Sequence, residues 1–273
     1  KGAIFMNKPH LLPADILLPK TDFENWSVIA CDQYTSEPQY WKETEIAAAN
    51  KPSALNIILP EAYLKADNSE KIAKINKTML DYLNNGVFNC FENSYVYIER
   101  TLNSGKIRKG LLGLIDLEDY SYIKGADTSI RATEETVIER IPPRVNIRKD
   151  APLEIPHIML FIDDKNETVI EPLSQKTEEF SKLYDFDLMQ NGGHIKGFKI
   201  SENAAQGFNE ALENLAKIGD GFLFAVGDGN HSLASAKECY KQGKGSRFAL
   251  VEVVNIHDKS IEFEPIYRVL FGV

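Results

Sequence analysis

The stretch F-L-F-A-V-G-D-G-N-H-S-L-A-S-A-K, residues 222–237, joins a short apolar segment to a glycine-rich turn and a helix-like segment. Its composition predicts a buried strand over Phe222–Val226 and a helix over Ser232–Gln242. A second apolar segment, Phe248–Val254, predicts another strand, so the order is strand, helix, strand. This alternation is typical of α/β proteins, in which helices cover a sheet that contains parallel strands.

The turn between the first strand and the helix is the first candidate for a ligand site. Open α/β sheets usually bind ligands at the carboxyl ends of their strands, and unpaired N–H groups at a helix start favour phosphate or carboxylate. Asp228 could hold a metal ion or accept a proton, and His231 could donate to a phosphate oxygen. The alternative is a glycine turn in which Asp or Asn caps the helix without any ligand. The residues expected to cradle phosphate here are Gly227, Gly229, Asn230 and Ser232.

A second candidate is an arginine-rich segment, in which Arg131, Arg140, Arg144 and Arg148 lie within eighteen residues. The guanidinium fork matches phosphate bidentately, so this segment could act as an anion clamp. The alternative is a surface helix with Glu–Arg pairs at helical spacing. In that case Pro142-Pro143 would fix how the chain leaves the helix.

A third candidate is the polar cluster at the end of a predicted strand, Trp26–Asp32. A helix is expected to follow, with Ser36 as N-cap, Gln39 at the capping-box position and Pro38 inside the first turn. If the ends of the two strands face each other, this cluster contacts the substrate together with Glu134. Its members are Asp32, Gln33 and Tyr34.

The rest of the chain fits one α/β unit over residues 1–273, or two lobes near 1–125 and 126–273. The apolar end, Ile266–Val273, suggests a fragment of a longer protein. The further predicted elements are a helix over Ser69–Asn85, a hairpin of Tyr95–Leu102 with Ile107–Leu117, a hairpin of His157–Ile162 with Thr168–Ile170, a helix over Ser174–Tyr184 and a helix from Ser201 to Gly219.

Composition narrows the classes of partner. No apolar run reaches the ~18 residues that a membrane helix needs, so we expect no membrane-spanning segment. A net charge of −9 argues against sequence-independent nucleic-acid binding, which depends on Lys and Arg. Three cysteines without metal-type spacing are typical of free thiols in a reducing cytoplasm. A small anionic ligand remains the expected partner, and the composition leaves the metal and the oligomeric state open.

Four blocks of the sequence, in this order, resemble a bacterial and archaeal family called domain of unknown function 1015. The similarity runs from about Asp15 to Leu270, and family members tend to be longer than this chain. The blocks are Trp26–Trp41, Arg131–Arg144, Pro156–Asp164 and Gly227–Lys237.

In many members of that family the last block reads D-G-H-H-R, which is similar to a phosphate motif of the ParB/sulfiredoxin superfamily. This superfamily includes a nucleotide-dependent kinase of free serine. The resemblance implies an α/β fold with a mixed sheet, a ParB/sulfiredoxin-like core with a strand-turn-helix phosphate site, and extra hairpins. Asp228, Gly229 and His231 match the motif, whereas Asn230 and Ser232 replace a His-type position and the Arg. One of the arginines at 131, 140 or 144 would then supply the missing charge.

Together these features predict a phosphotransferase that acts on a small hydroxyl-bearing metabolite, with Asp228 as base or metal-holding carboxylate. The resemblance implies ATP or ADP with Mg as cofactors and a link to serine or phosphoserine. Phosphoryl transfer chiefly requires positioning and charge neutralisation, which a helix start, arginines and a carboxylate can supply. The alternatives are a non-catalytic module that senses a nucleotide or anion, and a hydrolase of small phosphoesters.

Overall fold

The computed structural model describes residues 9–29, 34–155, 158–219 and 221–261, which form a mixed α/β fold. The strands are β1 (Ala14–Pro19), β2 (Phe88–Ser94), β3 (Val96–Thr101), β4 (Ile107–Asp116), β5 (Tyr120–Ser121), β6 (Ile130–Ala132), β7 (Met159–Ile162), β8 (Ser181–Asp187), β9 (His194–Lys199), β10 (Phe224–Asp228) and β11 (Phe248–Asn255). The α-helices are α1 (Pro38–Ala47), α2 (Ser69–Asn84), α3 (Ile141–Arg148), α4 (Glu171–Ser174), α5 (Glu202–Ile218) and α6 (Asn230–Lys241).

Nine of the described strands form one mixed sheet in the order β5-β6-β10-β7-β11-β4-β3-β9-β8, and β1 pairs with β2 in a second, small sheet. The predicted mixed-sheet α/β class is therefore confirmed. The strand-helix-strand unit differs from expectation, because β7 lies between β10 and β11. β10 is antiparallel to β7 and β7 is parallel to β11, so β10 and β11 run in opposite directions. β10 does have a parallel neighbour, β6, on its other side.

The main core lies on the face of the large sheet that α5 and α6 cover. Ser201 is the N-cap of helix α5, and its hydroxyl accepts the N–H of Ala204. The side chains of α5 at four-residue spacing are buried, as predicted. Each fully buried large apolar side chain stabilises the fold by about 1.5–3 kcal/mol. The other face of the sheet packs against the β1–β2 sheet. Buried core residues on the first face include Leu160, Val226 and Val253 of the sheet, Phe208 and Leu212 of α5, and Leu233 and Ala236 of α6.

Two predicted elements in the middle of the chain are wrong. The helix expected over Ser174–Tyr184 is replaced by the short α4, a 3-10 turn and strand β8. In β8, Tyr184 and Phe186 project to one side, where both rings pack against Phe23, which is the two-residue period of a strand. Residues 168–170 form no strand, because the Asp164 carboxylate accepts the N–H groups of Thr168 and Val169 and closes a turn.

The amino-terminal part differs from the prediction in a strand and in the cap of a helix. Residues 23–26 form a 3-10 helix and residues 27–29 form no strand, while residues 30–33 lie outside the described part. Helix α1 takes Glu37 as its N-cap instead of Ser36, and the Gln39 amide donates to Glu43 instead of completing a capping box. Pro38 does lie in the first turn, as predicted.

The local predictions with strong signals are confirmed. Helix α2 occupies Ser69–Asn84, and Gly86 after it has a φ of 63°, which glycine adopts at low cost. β3 and β4 form the expected hairpin, with Gly105 at a φ of 80° in the turn. Both strands lie between β11 and β9, so a division of the chain near residue 125 would cut through this sheet.

Within the described residues, no helix combines the length and apolarity needed to cross a membrane.

Candidate functional site

The Gly227–Ser232 turn connects the carboxyl end of β10 to the start of α6, beside the carboxyl end of β6. Gly229 is the N-cap of α6 with a φ of 78°, a left-handed conformation that favours glycine. The N–H of Leu233 donates to the carbonyl of Gly229, which closes the first helical turn. Within the part that the structure describes, the backbone N–H groups of Asn230 and Ser232 have no acceptor. The helix start therefore offers donors and a positive dipole end to an anion.

The segment after β6 wraps around this helix start, so the first and second candidate sites lie together. Three hydrogen bonds join residues 133–137 to β10 and the start of α6, and each connects residues about ninety positions apart in sequence. They run from the Thr133 hydroxyl to the Val226 carbonyl (2.7 Å), from the Asn230 amide to the Thr136 hydroxyl (2.9 Å), and from the Val137 N–H to Nε2 of His231 (3.2 Å). Below them, α3 packs against α6 through Ile141, Val145, Ala234 and Cys239.

His231 is half-buried in the first turn of α6. Because its Nε2 accepts the N–H of Val137, a neutral ring carries its proton on Nδ1. That nitrogen is then a donor, and donation from it to a phosphate oxygen stays a prediction. Asp228 is exposed at the end of β10, and its Oδ1 accepts the N–H of Gly229 at 2.7 Å. The second carboxylate oxygen gives this turn an acceptor for a proton or a ligand for a cation.

Two residues of the predicted phosphate cradle have internal roles. The Asn230 side chain is buried: its Oδ1 accepts the Tyr120 hydroxyl and its Nδ2 donates to Thr136, so only its backbone N–H can serve a ligand. At Gly227, a Cβ atom would overlap the Phe161 ring, so this glycine makes room for a neighbouring side chain and not for a ligand.

Arg131 does not reach the turn. Its guanidinium donates to the carbonyl of Thr128 and to Asp127, and it stacks over the Phe222 ring at 4.8 Å. These partners precede β6 and β10, whereas Asp228 ends β10. A strand advances about 3.3 Å per residue, so the contacts of Arg131 lie at the opposite end of β10 from Asp228.

Arg140 and Arg144 do not form the Glu–Arg pairs of a single surface helix either. Both donate to Glu61, a residue of a 3-10 turn that lies 79 and 83 positions earlier in the chain. Burial raises the pKa of the Glu61 carboxyl, but the hydrogen bonds and charges of the two arginines outweigh this and hold the pKa below its usual value. The two prolines at 142 and 143 lie in the first turn of α3, so they begin this helix instead of ending it.

Arg148, the last arginine of the segment, is the one that contacts the start of α6. Its Nη1 donates to the Ser232 carbonyl at 3.2 Å, while Nε and Nη2 form a bidentate pair with Glu154 at 2.9 and 2.6 Å. The sequence marked Arg148 as one of four clustered arginines but gave no reason to prefer it. Which of the four arginines contacts the start of α6 depends on how α3 packs across α6, and the spacing of residues along the chain does not determine this packing.

The expected substrate residues are only partly described. Asp32 and Gln33 lie outside the described residues, so their contribution stays a prediction. Tyr34 stacks on Tyr40, with ring centroids 3.9 Å apart, and its carbonyl accepts the Trp41 indole N–H. Glu134 is exposed between Thr133 and Thr136, in the segment that borders the turn.

Over the described ranges, no group of three or more His, Cys, Asp or Glu side chains could hold a metal ion by itself. A groove of about 400 Å³ lies beside α1, lined by residues that include Glu45, Lys51, Asn56 and Tyr82, and none of the predicted site residues borders it. The turn is instead a surface site, whose donors are backbone groups.

Comparison with known proteins gives a family and no described activity. The family model described as "Protein of unknown function (DUF1015)" matches residues 11–273. Neither the search of curated proteins nor that of solved structures gave a match.

Proposed function

The chain belongs to DUF1015, a family of proteins of unknown function, and we propose that it binds a phosphate-bearing small molecule at the Gly227–Ser232 turn and transfers its phosphoryl group. The observation that carries this proposal is the helix start at the carboxyl ends of the parallel strands β10 and β6, with unpaired backbone donors next to Asp228 and His231. A strand, a left-handed glycine and a helix in this order also support the ParB/sulfiredoxin-like character that the sequence implies for this core.

In the proposed reaction, the N–H groups at the start of α6 hold the phosphate oxygens. The hydroxyl of a small metabolite attacks phosphorus while Asp228 accepts the hydroxyl proton, and the bond from phosphorus to the leaving oxygen breaks. His231 donates from Nδ1 to a phosphate oxygen, since Nε2 accepts from Val137. Such a site acts mainly by positioning and by neutralising charge. Serine is the acceptor that the sequence resemblance favours, and water in its place would make the protein a phosphoester hydrolase.

ATP or ADP with Mg²⁺ fits the groups at the turn. Mg²⁺ is commonly held by one or two carboxylates together with substrate phosphates and water. The exposed Glu134 in the bordering segment would supply such a carboxylate while Asp228 accepts the proton. When bound, the ion would neutralise phosphate charge.

The proposal is tested with Asp228→Asn and a matched control, Asp163→Asn. Asp163 is also exposed at a strand end, but β7 is antiparallel to β10, so it lies at the other end of the sheet. Thermal-shift measurements with inorganic phosphate, ADP, ATP and phosphoserine find the ligand, and ³¹P NMR follows turnover of those that stabilise the protein. We expect Asp228→Asn to lower turnover at least about 100-fold, as for loss of a general base, and the control to match wild type. Unchanged turnover and ligand stabilisation in Asp228→Asn would refute the proposal.

A non-catalytic anion sensor is the second candidate, and one observation favours it. Arg140, Arg144 and Arg148 already pair with carboxylates of the same chain, so the charge that a phosphoryl transfer needs is partly cancelled. Stabilisation by a phosphate ligand without any product in the NMR assay would decide for the sensor.

A further inference from the structure

Two arginines of α3 and its entry share a single carboxylate from a distant part of the chain. Nη2 of Arg140 and Nη2 of Arg144 lie 3.0 and 3.1 Å from Oε1 of Glu61, and Nη2 of Arg144 also lies 3.1 Å from Oε2. All three side chains are partly exposed, between 24% and 37%. The cluster carries two positive charges and one negative charge, so it keeps an excess of one positive charge at the surface.

We propose that Arg140 and Arg144 form a second anion subsite next to the turn and that Glu61 is its internal competitor, which a polyphosphate group displaces. This inference rests on the proposed function, since it assigns the outer phosphates of the ligand to the arginine pair. Two guanidinium forks that converge on one small anion have the geometry that phosphate groups prefer.

The position of the pair connects it to the turn through a short, hydrogen-bonded path. The N–H of Arg140 donates to the Val137 carbonyl at 3.1 Å, and the N–H of Val137 donates to His231. The packing of α3 on α6 fixes the position of the arginine pair relative to the helix start. The backbone that carries Arg140 is therefore three residues from a direct contact with the first turn of α6, and the proposal is that a ligand longer than one phosphate spans from the helix start to the arginine pair.

The tethered carboxylate determines which ligands can compete. A group held on the same chain acts at an effective concentration of the order of millimolar, so a single carboxylate from solution competes poorly. Pyrophosphate carries more negative charge and more acceptor oxygens than the carboxylate it replaces. It is therefore also attracted by the excess positive charge of the cluster. The subsite should therefore select a diphosphate or triphosphate over a monoanion.

The test uses Glu61→Gln in the full chain and isothermal titration with pyrophosphate, with Glu70→Gln as control. Glu70 is an exposed residue in the first turn of α2, so its replacement makes the same change of net charge away from the arginines. We expect Glu61→Gln to bind pyrophosphate about tenfold more tightly, as removal of a competing exposed ion pair allows. The control should match wild type, and adding Arg144→Ala to Glu61→Gln should abolish the gain.

Affinity of Glu61→Gln within twofold of wild type, or a gain that survives Arg144→Ala, would overturn the inference. Glu61→Asp retains the charge on a shorter side chain and should give a smaller gain, which keeps the test decisive if Glu61→Gln does not fold. The outcome is separable from that of the proposed function. If turnover depends on Asp228 but Glu61→Gln does not change pyrophosphate affinity, only the role of Glu61 as competitor is refuted. If Glu61→Gln raises the affinity but no turnover is found, the protein binds phosphate and is not a phosphotransferase.

Discussion

Replacement of the buried Asn230 by alanine tests the contact that holds the arginine segment against the start of α6. The Asn230 amide bridges two elements: it accepts the Tyr120 hydroxyl at 3.2 Å and donates to the Thr136 hydroxyl at 2.9 Å. Asn230 is 6% exposed and Tyr120 is 1% exposed, so water cannot easily replace the lost partner. Truncation leaves two buried polar groups without a hydrogen bond, each costing about 1–3 kcal/mol.

We therefore expect Asn230→Ala to lower the free energy of unfolding by about 2–4 kcal/mol. Tyr120→Phe removes only one of the two bonds and should cost about half as much, whereas Asn203→Ala, at an exposed position in α5, should stay within about 0.5 kcal/mol of wild type. Urea unfolding followed by circular dichroism gives these differences, provided that the slope of the transition is unchanged. A loss below about 0.5 kcal/mol for Asn230→Ala would show that the bridge does not hold the segment.

Two further predictions concern packing and pH. Gly227→Ala places a methyl group against the Phe161 ring and should destabilise the protein by about 1–3 kcal/mol in the same urea assay; a neutral effect would mean that the ring moves aside freely. Hydrogen bonds from His194 to Asp187 and Asp185 raise the pKa of this histidine above its ordinary value. Its charged form stabilises the fold below the unfolded pKa of about 6.5, and this stability is lost as the pH rises through the folded pKa. The difference in unfolding free energy between wild type and His194→Gln should therefore shrink with rising pH, and an NMR titration of His194 at or below pH 6.5 would contradict this.

The parts of the fold that the sequence predicted are those whose signals are local. Helix α5 has its cap, its four-residue apolar spacing and its closing Gly219 within one segment, and the β3–β4 hairpin has its turn residues between two apolar strands. The order of strands depends on contacts that are not local, because β7 pairs with β10 across 64–69 residues and with β11 across 93 residues. The polar residues around Tyr184 and Phe186 gave no local indication of strand β8. The two aromatic side chains pack on Phe23, which lies far earlier in the chain.

The candidate site shows the same division, with one consequence for its chemistry. The glycine at position 229 and the helix start could be read from six residues, because a left-handed N-cap needs only its own backbone. The roles of the arginines could not, because charge has no local partner rule beyond three or four residues on one helix. Arg131 lies too far along its strand, and the carboxylates that bind Arg140, Arg144 and Arg148 are Glu61 and Glu154.

The number of available positive charges at the turn then distinguishes the two proposed functions. If Glu61 stays bound, an incoming phosphate meets the helix dipole and His231, while all four arginines of residues 131–148 remain paired with carboxylates, and this arrangement suffices for binding and little else. If a polyphosphate displaces Glu61, two guanidinium groups become available while the ligand is held, and they can stabilise the charge that develops in phosphoryl transfer. Displacement of Glu61 would therefore raise the rate of phosphoryl transfer, whereas a sensor gains only affinity from it. Turnover that rises in Glu61→Gln together with pyrophosphate affinity would support the enzyme, whereas tighter binding without turnover would support the sensor.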